Sequence, residues 1–356
     1  MNQPTAYLNH VGTSVPAHDI HDAFIGWARE RLNDLREQRL FDRMAARSGI
    51  RHRWSVLPAA DAGGSPLEPG GFYAGGHMPG TGERMRLYAR LAPDLAITAI
   101  ESLAGQVAVE GITHLVVASC TGFVAPGVDQ VIARRLNLSP SVERLLVGFM
   151  GCYAAVAALR SARHIVRSRP DARVLVVCVE LSSLHLQPAG NAESLLAMLQ
   201  FGDGAAAALV SGEPEGFAIE TPFATTLPQS DALIRWDITD TGFAMHLSGE
   251  VPGRIAEALA DPQIAAGALG KRRAGDIDAW AIHPGGRSIL DAVERAFSLS
   301  PEALAPSRQV LQDKGNMSSA TLMFVLESML GQSIESGLAL AFGPGLAAEG
   351  FAFRSA

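Results

Sequence analysis

The feature of this sequence that most constrains its fold is a weak internal repeat. The stretch THLVVASC at 113–120 aligns with IDAWAIHP at 277–284. The stretch MGCYAAVAAL, from Met150, aligns at the same spacing with KGNMSSATLM, from Lys314. Later, FGDGAAAALV, from Phe201, resembles FGPGLAAEGF near the C-terminus. Because self-similarity at one spacing indicates a duplicated unit, we expect two similar halves related by a pseudo-twofold axis.

Each half alternates short apolar runs with longer helical stretches, and this pattern predicts an α/β fold with a largely buried sheet. Predicted helices cover residues 20–47, 86–105, 126–136, 152–169, 251–267, 286–297 and 317–331. Predicted strands cover residues 113–119, 145–149, 173–179, 205–210, 279–283 and 337–342. We expect the halves to be residues 1–212 and 213–356.

The composition argues against several functional classes. The chain has 356 residues and a formal net charge of -7, which favours solubility and argues against general nucleic-acid binding. Its three cysteines are too few for a disulfide framework, so a reducing, cytoplasmic setting is expected. The N-terminus lacks the pattern of a signal peptide. The apolar runs are shorter than the ~20 residues that cross a bilayer, so we expect no membrane insertion.

A cysteine in the stretch GFMGCYAAVAALRSA lies at the predicted start of a helix. Cys152 stands between Gly151 and Tyr153, just before several small residues that favour helix. Unpaired backbone N–H groups at a helix start lower the pKa of a thiol and make it a better nucleophile. The alternative is that Cys152 is a small buried apolar residue, as most free cysteines are.

The repeat brings two further polar residues towards Cys152. Asn316, in GNMSSAT, occupies the equivalent helix start, and His283, in WAIHPGGRSIL, ends a buried strand. Both side chains can donate hydrogen bonds to an oxygen that becomes negative during a reaction. Together with a thiolate, they suit acyl transfer and carbon–carbon bond formation through an enolate. The alternatives are a structural histidine and a helix N-cap.

Other candidate sites are weaker. The stretch HDIHD at 18–22 has an incomplete metal-ligand pattern, so we expect no metal. No nucleophile elbow, P-loop or dinucleotide fingerprint occurs in its proper context. Arginines at 39, 43, 47 and 51 recur at spacings of four and form one stripe along a predicted helix and its exit. Such a stripe is either a solvated face or a site for a phosphate-bearing ligand such as coenzyme A.

The motifs GCYAA, FGDGAAA, IHPGG, GNMSSAT and FGPG together resemble those of type III polyketide synthases, the chalcone synthase-like branch of the thiolase superfamily. The resemblance covers essentially the whole chain, and SCTGF and DTGFAMHLS are closer to the bacterial members. It implies a thiolase-like, five-layer αβαβα fold of two pseudo-symmetric halves that works as a homodimer. It also implies an acyl-CoA starter and malonyl-CoA as substrates, with no further cofactor.

The resemblance also implies roles for particular residues. Cys152 would carry the acyl chain, and His283 and Asn316 would promote decarboxylation of malonyl-CoA. We expect the thiol pKa to lie below the ~8.5 of a free cysteine, since the helix start and His283 both favour thiolate. The remaining expected residues are Phe201 and Met245 as gatekeepers, Cys120, His185 and Trp236 as further cavity residues, and Arg43, Arg47 and Gly286 as coenzyme A contacts, with Leu40 at a position where a basic residue is usual.

We therefore expect an acyltransferase that loads an acyl-CoA starter and extends it by decarboxylative Claisen condensation. Cyclisation would give an alkylpyrone or a resorcinol- or phloroglucinol-type product. One alternative is a condensing enzyme of fatty acid synthesis that resembles ketoacyl synthase III. Another is a catalytically inactive acyl-binding homologue. The starter, the number of extensions and the cyclisation route depend on cavity shape, which a list of residues does not define.

Overall fold

The structure is a computed structural model, and it describes residues 4–57, 65–68, 70–76 and 78–356. Its strands are β1 (Ala6–Ser14), β2 (His18–Asp19), β3 (Trp54–Ser55), β4 (His114–Ser119), β5 (Glu143–Gly148), β6 (Val174–Leu181), β7 (Asp203–Ser211), β8 (Phe217–Thr226), β9 (Ile234–Thr239), β10 (Gly242–Leu247), β11 (Ala279–Ile282), β12 (Gly337–Gly343) and β13 (Ala347–Ser355). Its helices are α1 (His21–Glu30), α2 (Leu35–Ala46), α3 (Thr81–Ala104), α4 (Val128–Arg135), α5 (Ala154–Ser168), α6 (Ala192–Met198), α7 (Val251–Ala260), α8 (Pro262–Leu269), α9 (Arg287–Phe297), α10 (Ala305–Lys314) and α11 (Ser319–Met329).

Nine strands form one continuous sheet in the order β11-β12-β13-β8-β1-β7-β6-β4-β5. In one half, β4 and β6 are parallel, and β7 and β1 follow as antiparallel neighbours. In the other half, β11 and β12 are parallel, and β13 and β8 follow in the same way. The halves meet where β1 pairs with β8. The two strands that the sequence repeat aligns, β4 and β11, thus occupy mirrored positions in the strand order.

Successive side chains along each strand pack into different hydrophobic cores, because strand residues alternate between the two faces of a sheet. In β4, Val116 shares a core with α5 and α11, whereas Val117 shares another core with α3. In β11, Ala281 belongs to the α5–α11 core, whereas Ile282 packs with α7 and α9. The two halves of the continuous sheet therefore lie on opposite sides of α5 and α11. The order of layers is outer helices, one half of the sheet, α5 with α11, the other half of the sheet and outer helices. This confirms the predicted five-layer fold of two pseudo-symmetric halves.

Two long predicted helices are each divided into two. The helix predicted over 20–47 is α1 and α2, because the Asp34 carboxylate accepts a hydrogen bond from the Arg36 N–H at 2.8 Å and caps α2. The helix predicted over 251–267 is α7 and α8, because Asp261 caps α8 and precedes a proline. A residue before proline is disfavoured in helical conformation. The prediction of two continuous helices was therefore wrong. In each case an aspartate that caps the second helix marks the break in the sequence.

Several elements were not predicted, namely the helices α6 and α10 and the strands β1, β2, β3, β8, β9, β10 and β13. Strand β13 illustrates the reason, since the run AAEGFAFRS contains a glycine and a glutamate. At Gly350 a Cβ atom would lie 2.2 Å from the Ala339 carbonyl oxygen of the paired strand β12. Glycine is required there by the close approach of two backbones, although its presence weakens the sequence pattern of a strand.

The stretch HDIHD contributes to folding. His18 and Asp19 pair with β3, and His21 begins α1 and is buried. Its Nδ1 atom accepts a hydrogen bond from Arg53 Nε at 3.1 Å. Within the described ranges, no group of three or more His, Cys, Asp or Glu side chains is arranged to hold a metal ion. Among the helices of residues 4–57, 65–68, 70–76 and 78–356, none is long and apolar enough to span a bilayer.

Candidate active site

A cavity of about 880 Å³, called the main cavity below, is lined by the three residues that the sequence predicted to be catalytic. Its wall includes Cys152, His283 and Asn316. All three are buried, with exposed fractions of 8%, 1% and 1%. A thiol, an imidazole and a carboxamide therefore border one cavity.

Cys152 lies in a 3-10 turn, Gly151–Tyr153, which leads into α5. The turn requires glycine at Gly151, where φ is +78° and a Cβ atom would lie 2.2 Å from Pro344 Cδ. The Cys152 thiol donates a hydrogen bond to Ser318 Oγ at 3.7 Å. The turn thus holds the sulfur near the residues that precede α11.

Burial raises the pKa of the Cys152 thiol to about 11, and the carboxylate of Glu180 acts in the same direction. Hydrogen bonds with Ser318 and Asn316 lower the pKa but do not offset the loss of hydration. The expectation of a lowered thiol pKa was therefore wrong in direction. The helix start is present, but the thiol is also removed from water.

His283 directly follows β11, and its backbone N–H donates to the Leu340 carbonyl oxygen at 2.8 Å. Both ring nitrogens are buried, and neither has a hydrogen-bond partner among the described residues. Burial lowers the pKa of the His283 imidazole to about 3, so the ring is neutral near pH 7. A neutral imidazole has one N–H donor and one acceptor nitrogen, and none of the described residues uses either of them.

The Asn316 carboxamide is held in one orientation. Its Nδ2 donates to the Gly285 carbonyl oxygen at 3.1 Å, and its Oδ1 accepts from the Ser318 N–H at 2.8 Å. One proton of the Nδ2 group is left for another acceptor. The Asn316 backbone also bonds to its neighbours, since its N–H donates to Gln200 O and its carbonyl accepts from Gly202 N–H. Asn316 therefore acts as a turn cap and also borders the main cavity.

Glu180 lies beside the site, and the motifs did not point to it. Its carboxylate accepts hydrogen bonds from the Cys120 N–H at 2.9 Å, from Thr121 Oγ1 at 2.8 Å and from Ser319 Oγ. Burial raises the pKa of Glu180 to about 7. It joins the ends of β4 and β6 to the start of α11. The sequence feature that could have identified Glu180 is its carboxylate, which lies inside the otherwise apolar strand VLVVCVEL.

Most of the predicted cavity residues do line the main cavity. Four of the five residues predicted for the cavity line it, namely Phe201, Met245, Cys120 and Trp236. The Trp236 indole N–H donates to the Cys120 carbonyl oxygen at 2.9 Å, which fixes the ring against the end of β4. The Cys120 sulfur accepts a hydrogen bond from the Gly151 N–H at 2.9 Å. These bonds couple the wall of the cavity to the turn that contains Cys152.

His185 does not line the main cavity. It borders a separate space of about 290 Å³, called the second cavity below. Its Nδ1 accepts the Phe243 N–H at 3.0 Å, so the proton lies on Nε2, which donates to the Thr121 carbonyl oxygen at 2.7 Å. Burial lowers the pKa of the His185 ring to about 3. The ring stacks on Phe243 with centroids 4.2 Å apart and meets Trp236 edge-on. His185 thus packs against Trp236, which lines the main cavity, but does not line that cavity itself.

The mouth of the main cavity is bordered by α2 and by the start of α9. Of the three residues predicted to contact coenzyme A, Arg47 and Gly286 line the main cavity, whereas Arg43 is exposed and does not. Their contact with coenzyme A stays a prediction. Leu40 and Met44 line it as well, with exposed fractions of 42% and 47%. The mouth therefore presents apolar and basic groups together.

Two sequence profiles match the chain. The profile described as "Chalcone and stilbene synthases, N-terminal domain" matches residues 2–214, and the corresponding C-terminal profile matches residues 218–356. The chain belongs to the chalcone and stilbene synthase family. It is a polyketide synthase of the chalcone synthase-like, bacterial type, and hence an acyltransferase. The boundary after residue 212 stays a prediction.

Known proteins support this assignment. The "Alpha-pyrone synthesis polyketide synthase-like Pks18" of Mycobacterium tuberculosis is 37% identical over 287 residues, which covers 76% of this chain and 72% of that protein. The structure of PKS-I from the brown alga Ectocarpus siliculosus superposes with a TM-score of 0.87 at 30% identity and covers 100% of both chains. The C-terminal type III polyketide synthase domain of Steely1 from Dictyostelium gives a TM-score of 0.87 at 27% identity, with 99% of each chain covered. The predicted family, thiolase-like fold and enzyme class are confirmed.

Proposed function

We propose that this enzyme loads an aliphatic acyl-CoA starter on Cys152 and extends it with two or three malonyl-CoA units, then releases an alkylpyrone or alkylresorcinol-type product. The observation that carries this proposal is that Cys152, His283 and Asn316 all line the main cavity. There, a buried thiol, an unpartnered imidazole and an oriented carboxamide border one space. The name of the mycobacterial relative, which refers to alpha-pyrone synthesis, supports a pyrone as the product.

In the loading step, a ring nitrogen of His283 accepts the proton of the Cys152 thiol. The sulfur attacks the thioester carbonyl of the starter, and the coenzyme A thiolate leaves and takes up that proton. Burial favours the neutral thiol and the neutral imidazole at rest. The nucleophile therefore forms only as the substrate carbonyl is engaged, which limits side reactions of the thiol.

In the extension step, malonyl-CoA loses carbon dioxide, and the electron pair of the broken bond forms an enolate. The negative charge develops on the thioester oxygen, where the free Asn316 Nδ2 proton and a ring N–H of His283 can donate hydrogen bonds. The enolate carbon then attacks the acyl thioester on Cys152, the thiolate is released, and the chain is longer by two carbons.

We infer that the coenzyme A part of both substrates binds at the mouth of the main cavity. Gly286 precedes α9, and the first backbone N–H groups of a helix favour phosphate. Arg47 borders the same opening. Arg43, which lies outside the cavity wall, remains a proposed contact for phosphates that extend beyond the mouth.

The proposal is tested by incubating the purified protein with malonyl-CoA and a panel of aliphatic and aromatic acyl-CoAs, without acyl carrier protein. Mass spectrometry should detect pyrones or resorcinols from aliphatic starters. A single condensation that requires malonyl carrier protein would instead identify an enzyme of the ketoacyl synthase III type. Binding of acyl-CoA without any carbon dioxide release would identify an inactive homologue.

Trp236 limits the space available to the growing chain, and replacing it with glycine should lengthen the accepted starter or the polyketide. The indole lies on β9 directly opposite Met245 of β10, and both line the main cavity. Removing a large ring leaves space that an acyl chain can occupy. Mass spectra of the products of Trp236→Gly and wild type provide the measurement.

The matched control is Ile238→Gly, since Ile238 belongs to the same strand but is 57% exposed. That variant should give the wild-type products. An unchanged product profile in Trp236→Gly would mean that this ring does not limit chain growth. Turnover of aromatic starters alone by the wild type would contradict the aliphatic assignment.

We also propose that the enzyme is a homodimer joined at strand β5. This strand is an edge of the sheet, and its Leu145 and Leu146 are 43% and 46% exposed. Phe123 nearby is 46% exposed. An exposed apolar edge strand favours pairing with another chain.

The change Leu146→Lys should therefore shift the protein from dimer towards monomer, because it inserts a charge into the apolar edge. Light scattering after size-exclusion chromatography measures the mass. The control is Leu35→Lys, which changes a leucine that is 65% exposed elsewhere and should leave the mass unchanged. A wild type that elutes as a monomer at micromolar concentration would contradict the proposal.

A further inference from the structure

Helix α2 carries exposed apolar side chains beside the mouth of the main cavity. Among the described residues, seven large apolar side chains are exposed, and six of them lie either on α2 or on and beside the edge strand β5. Those on α2 are Leu35, Leu40 and Met44. Leu40 and Met44 also line the main cavity. Exposed apolar groups that cluster at an opening are typical of a surface that another molecule covers.

A stripe of arginines runs along the same helix. Its members are exposed and recur at intervals of three or four residues, namely Arg36, Arg39, Arg43 and Arg47. None of the four forms an ion pair among the described residues, whereas Arg135, Arg254 and Arg354 do so elsewhere on the surface. On α2 itself, Asp42 is already paired with Arg29. The stripe is therefore unpaired positive charge on a chain with a formal net charge of -7. These arginines and the three apolar residues are called the α2 surface below.

The α2 surface fits a partner that is acidic and that carries a substrate. Its positive charge attracts an acidic surface and orients it during the encounter. A partner seated here covers the opening to Cys152, so catalysis requires that it deliver the acyl group through that opening. An acyl carrier protein has both properties, because it is a small acidic protein that presents an acyl thioester on a phosphopantetheine arm. Coenzyme A contains the same arm, so one opening can admit either donor.

Two other occupants fit the α2 surface less well. An anionic bilayer requires an apolar helix face that can insert beneath the headgroups. The continuous apolar face of α2 is turned into the protein, where Phe41 and Ala45 are buried. Around the outer side of the helix, the arginines separate Leu35 from Leu40 and Met44. A second copy of this chain would bring two arginine stripes together in a twofold interface, which charge repulsion disfavours.

We propose that the α2 surface docks an acyl carrier protein, which delivers the starter acyl group to Cys152. This inference rests on the proposed function, because it names the donor of the starter, while malonyl-CoA remains the extender. In loading, the Cys152 sulfur attacks the thioester carbonyl of the carrier, and its proton passes to His283. The phosphopantetheine thiolate then leaves and takes up that proton. The homodimer proposed at β5 does not use this surface, since α2 packs against α1 and α6, whereas β5 packs against α4 and α5.

The outer end of the α2 surface separates carrier docking from coenzyme A binding. Arg36 lies about 16 Å along the helix from Arg47 and about 10 Å from Arg43, at a rise of ~1.5 Å per residue. At physiological ionic strength, charges interact weakly beyond about 8 Å. Phosphates of coenzyme A beside Arg43 and Arg47 are therefore little affected by Arg36, whereas a docked carrier protein contacts it.

The same outer end can be changed without disturbing the fold. Leu35 and Arg36 are the first two residues of α2, and both are exposed. Neither side chain forms a hydrogen bond among the described residues, since only the backbone N–H of Arg36 is bonded, to the capping Asp34. A glutamate in the first turn of a helix is favoured by the helix dipole, so Arg36→Glu should keep the helix intact.

The test compares loading of Cys152 by a bacterial acyl carrier protein that carries a decanoyl group with loading by decanoyl-CoA, followed by intact-protein mass. Combining Leu35→Ser with Arg36→Glu should lower the second-order rate constant for the carrier about tenfold and change that for decanoyl-CoA less than about twofold. Added salt should slow loading by the carrier more in the wild type than in this variant. The matched control combines Ile238→Ser with Arg90→Glu, which changes one exposed apolar residue and one exposed arginine elsewhere, and it should keep both wild-type rates.

Each outcome decides the matter. A wild type that is loaded by decanoyl-CoA but not by the carrier protein would overturn the inference and leave the proposed function standing. Equal losses with both donors would also overturn it, because the outer residues would then act on any thioester. Wild-type binding to phosphatidylglycerol vesicles that is lost in the variant, with carrier loading unchanged, would assign the surface to a membrane instead.

Calorimetric binding of the decanoyl carrier protein to Cys152→Ala separates the two proposals. Binding that weakens when Leu35→Ser and Arg36→Glu are added, together with no product from any starter in the wild type, would support docking and contradict the proposed reaction. Products from decanoyl-CoA together with no binding of the carrier would contradict docking alone.

Discussion

Replacing Cys152 with alanine should abolish polyketide formation and leave no acyl group on the enzyme. The thiol is the proposed point of attachment, and loss of a covalent nucleophile commonly lowers turnover by a factor on the order of 10⁴ or more. Intact-protein mass spectrometry after incubation with the starter alone should show one added acyl group in the wild type and none in Cys152→Ala. Product analysis by mass should show no pyrone or resorcinol.

The other two cysteines provide the controls. Cys178 is fully buried in β6 and lines neither cavity, so Cys178→Ala should still accept an acyl group. Cys120 lines the main cavity, and acylation that persists in Cys152→Ala and disappears in Cys120→Ala would identify Cys120 as the nucleophile. The thiol pKa of about 11 adds a further check. Alkylation of Cys152 should keep accelerating at pH values more than about one unit above ~8.5, where the rate of an ordinary thiol levels off, because its thiolate forms only as the pH approaches the raised pKa.

The sequence predicted the parts of the site that local motifs and the repeat determine. Cys152 and Asn316 lie in equivalent turns before α5 and α11, and His283 ends β11, so a duplicated topology already brings all three to one region. The repeat predicted two similar α/β halves, whereas the five-layer arrangement was expected from the resemblance to type III polyketide synthases. Residues that lie at the ends of aligned elements can thus be located without coordinates.

The sequence did not predict properties that depend on burial or on contacts between distant segments. Glu180 meets Ser319 across 139 positions of the chain, and Arg53 meets Phe201 across 148. The direction of the Cys152 pKa shift depends on dehydration, which a helix-start motif does not measure. His185 was assigned to the main cavity by alignment with a family position, but its ring is turned to Phe243 and Thr121 behind the wall. Each of these needs the folded arrangement of several segments.

Replacing Asn316 with alanine should leave loading of the starter intact and strongly reduce release of carbon dioxide from malonyl-CoA. The free Nδ2 proton of Asn316 is proposed to bond the thioester oxygen where the enolate charge develops. Loss of one such preorganised donor commonly costs on the order of 3 kcal/mol in the barrier, or about 10²-fold in rate. Radiolabelled carbon dioxide release from malonyl-CoA and acyl-enzyme formation by intact mass are measured on the same variant.

A matched variant separates this role from a loss of stability. Asn316 also accepts the Ser318 N–H at 2.8 Å, so Asn316→Ala removes a turn cap together with the donor. Asn191 caps α6 in the same manner, by accepting the Ser194 N–H at 2.9 Å, and lines neither cavity. Asn191→Ala should lower the free energy of unfolding by about 1 kcal/mol and leave decarboxylation unchanged. Equal decarboxylation in Asn316→Ala and Asn191→Ala would reduce Asn316 to a structural cap. Normal starter loading with decarboxylation lost only in Asn316→Ala would instead assign the enolate-stabilising donor to this carboxamide.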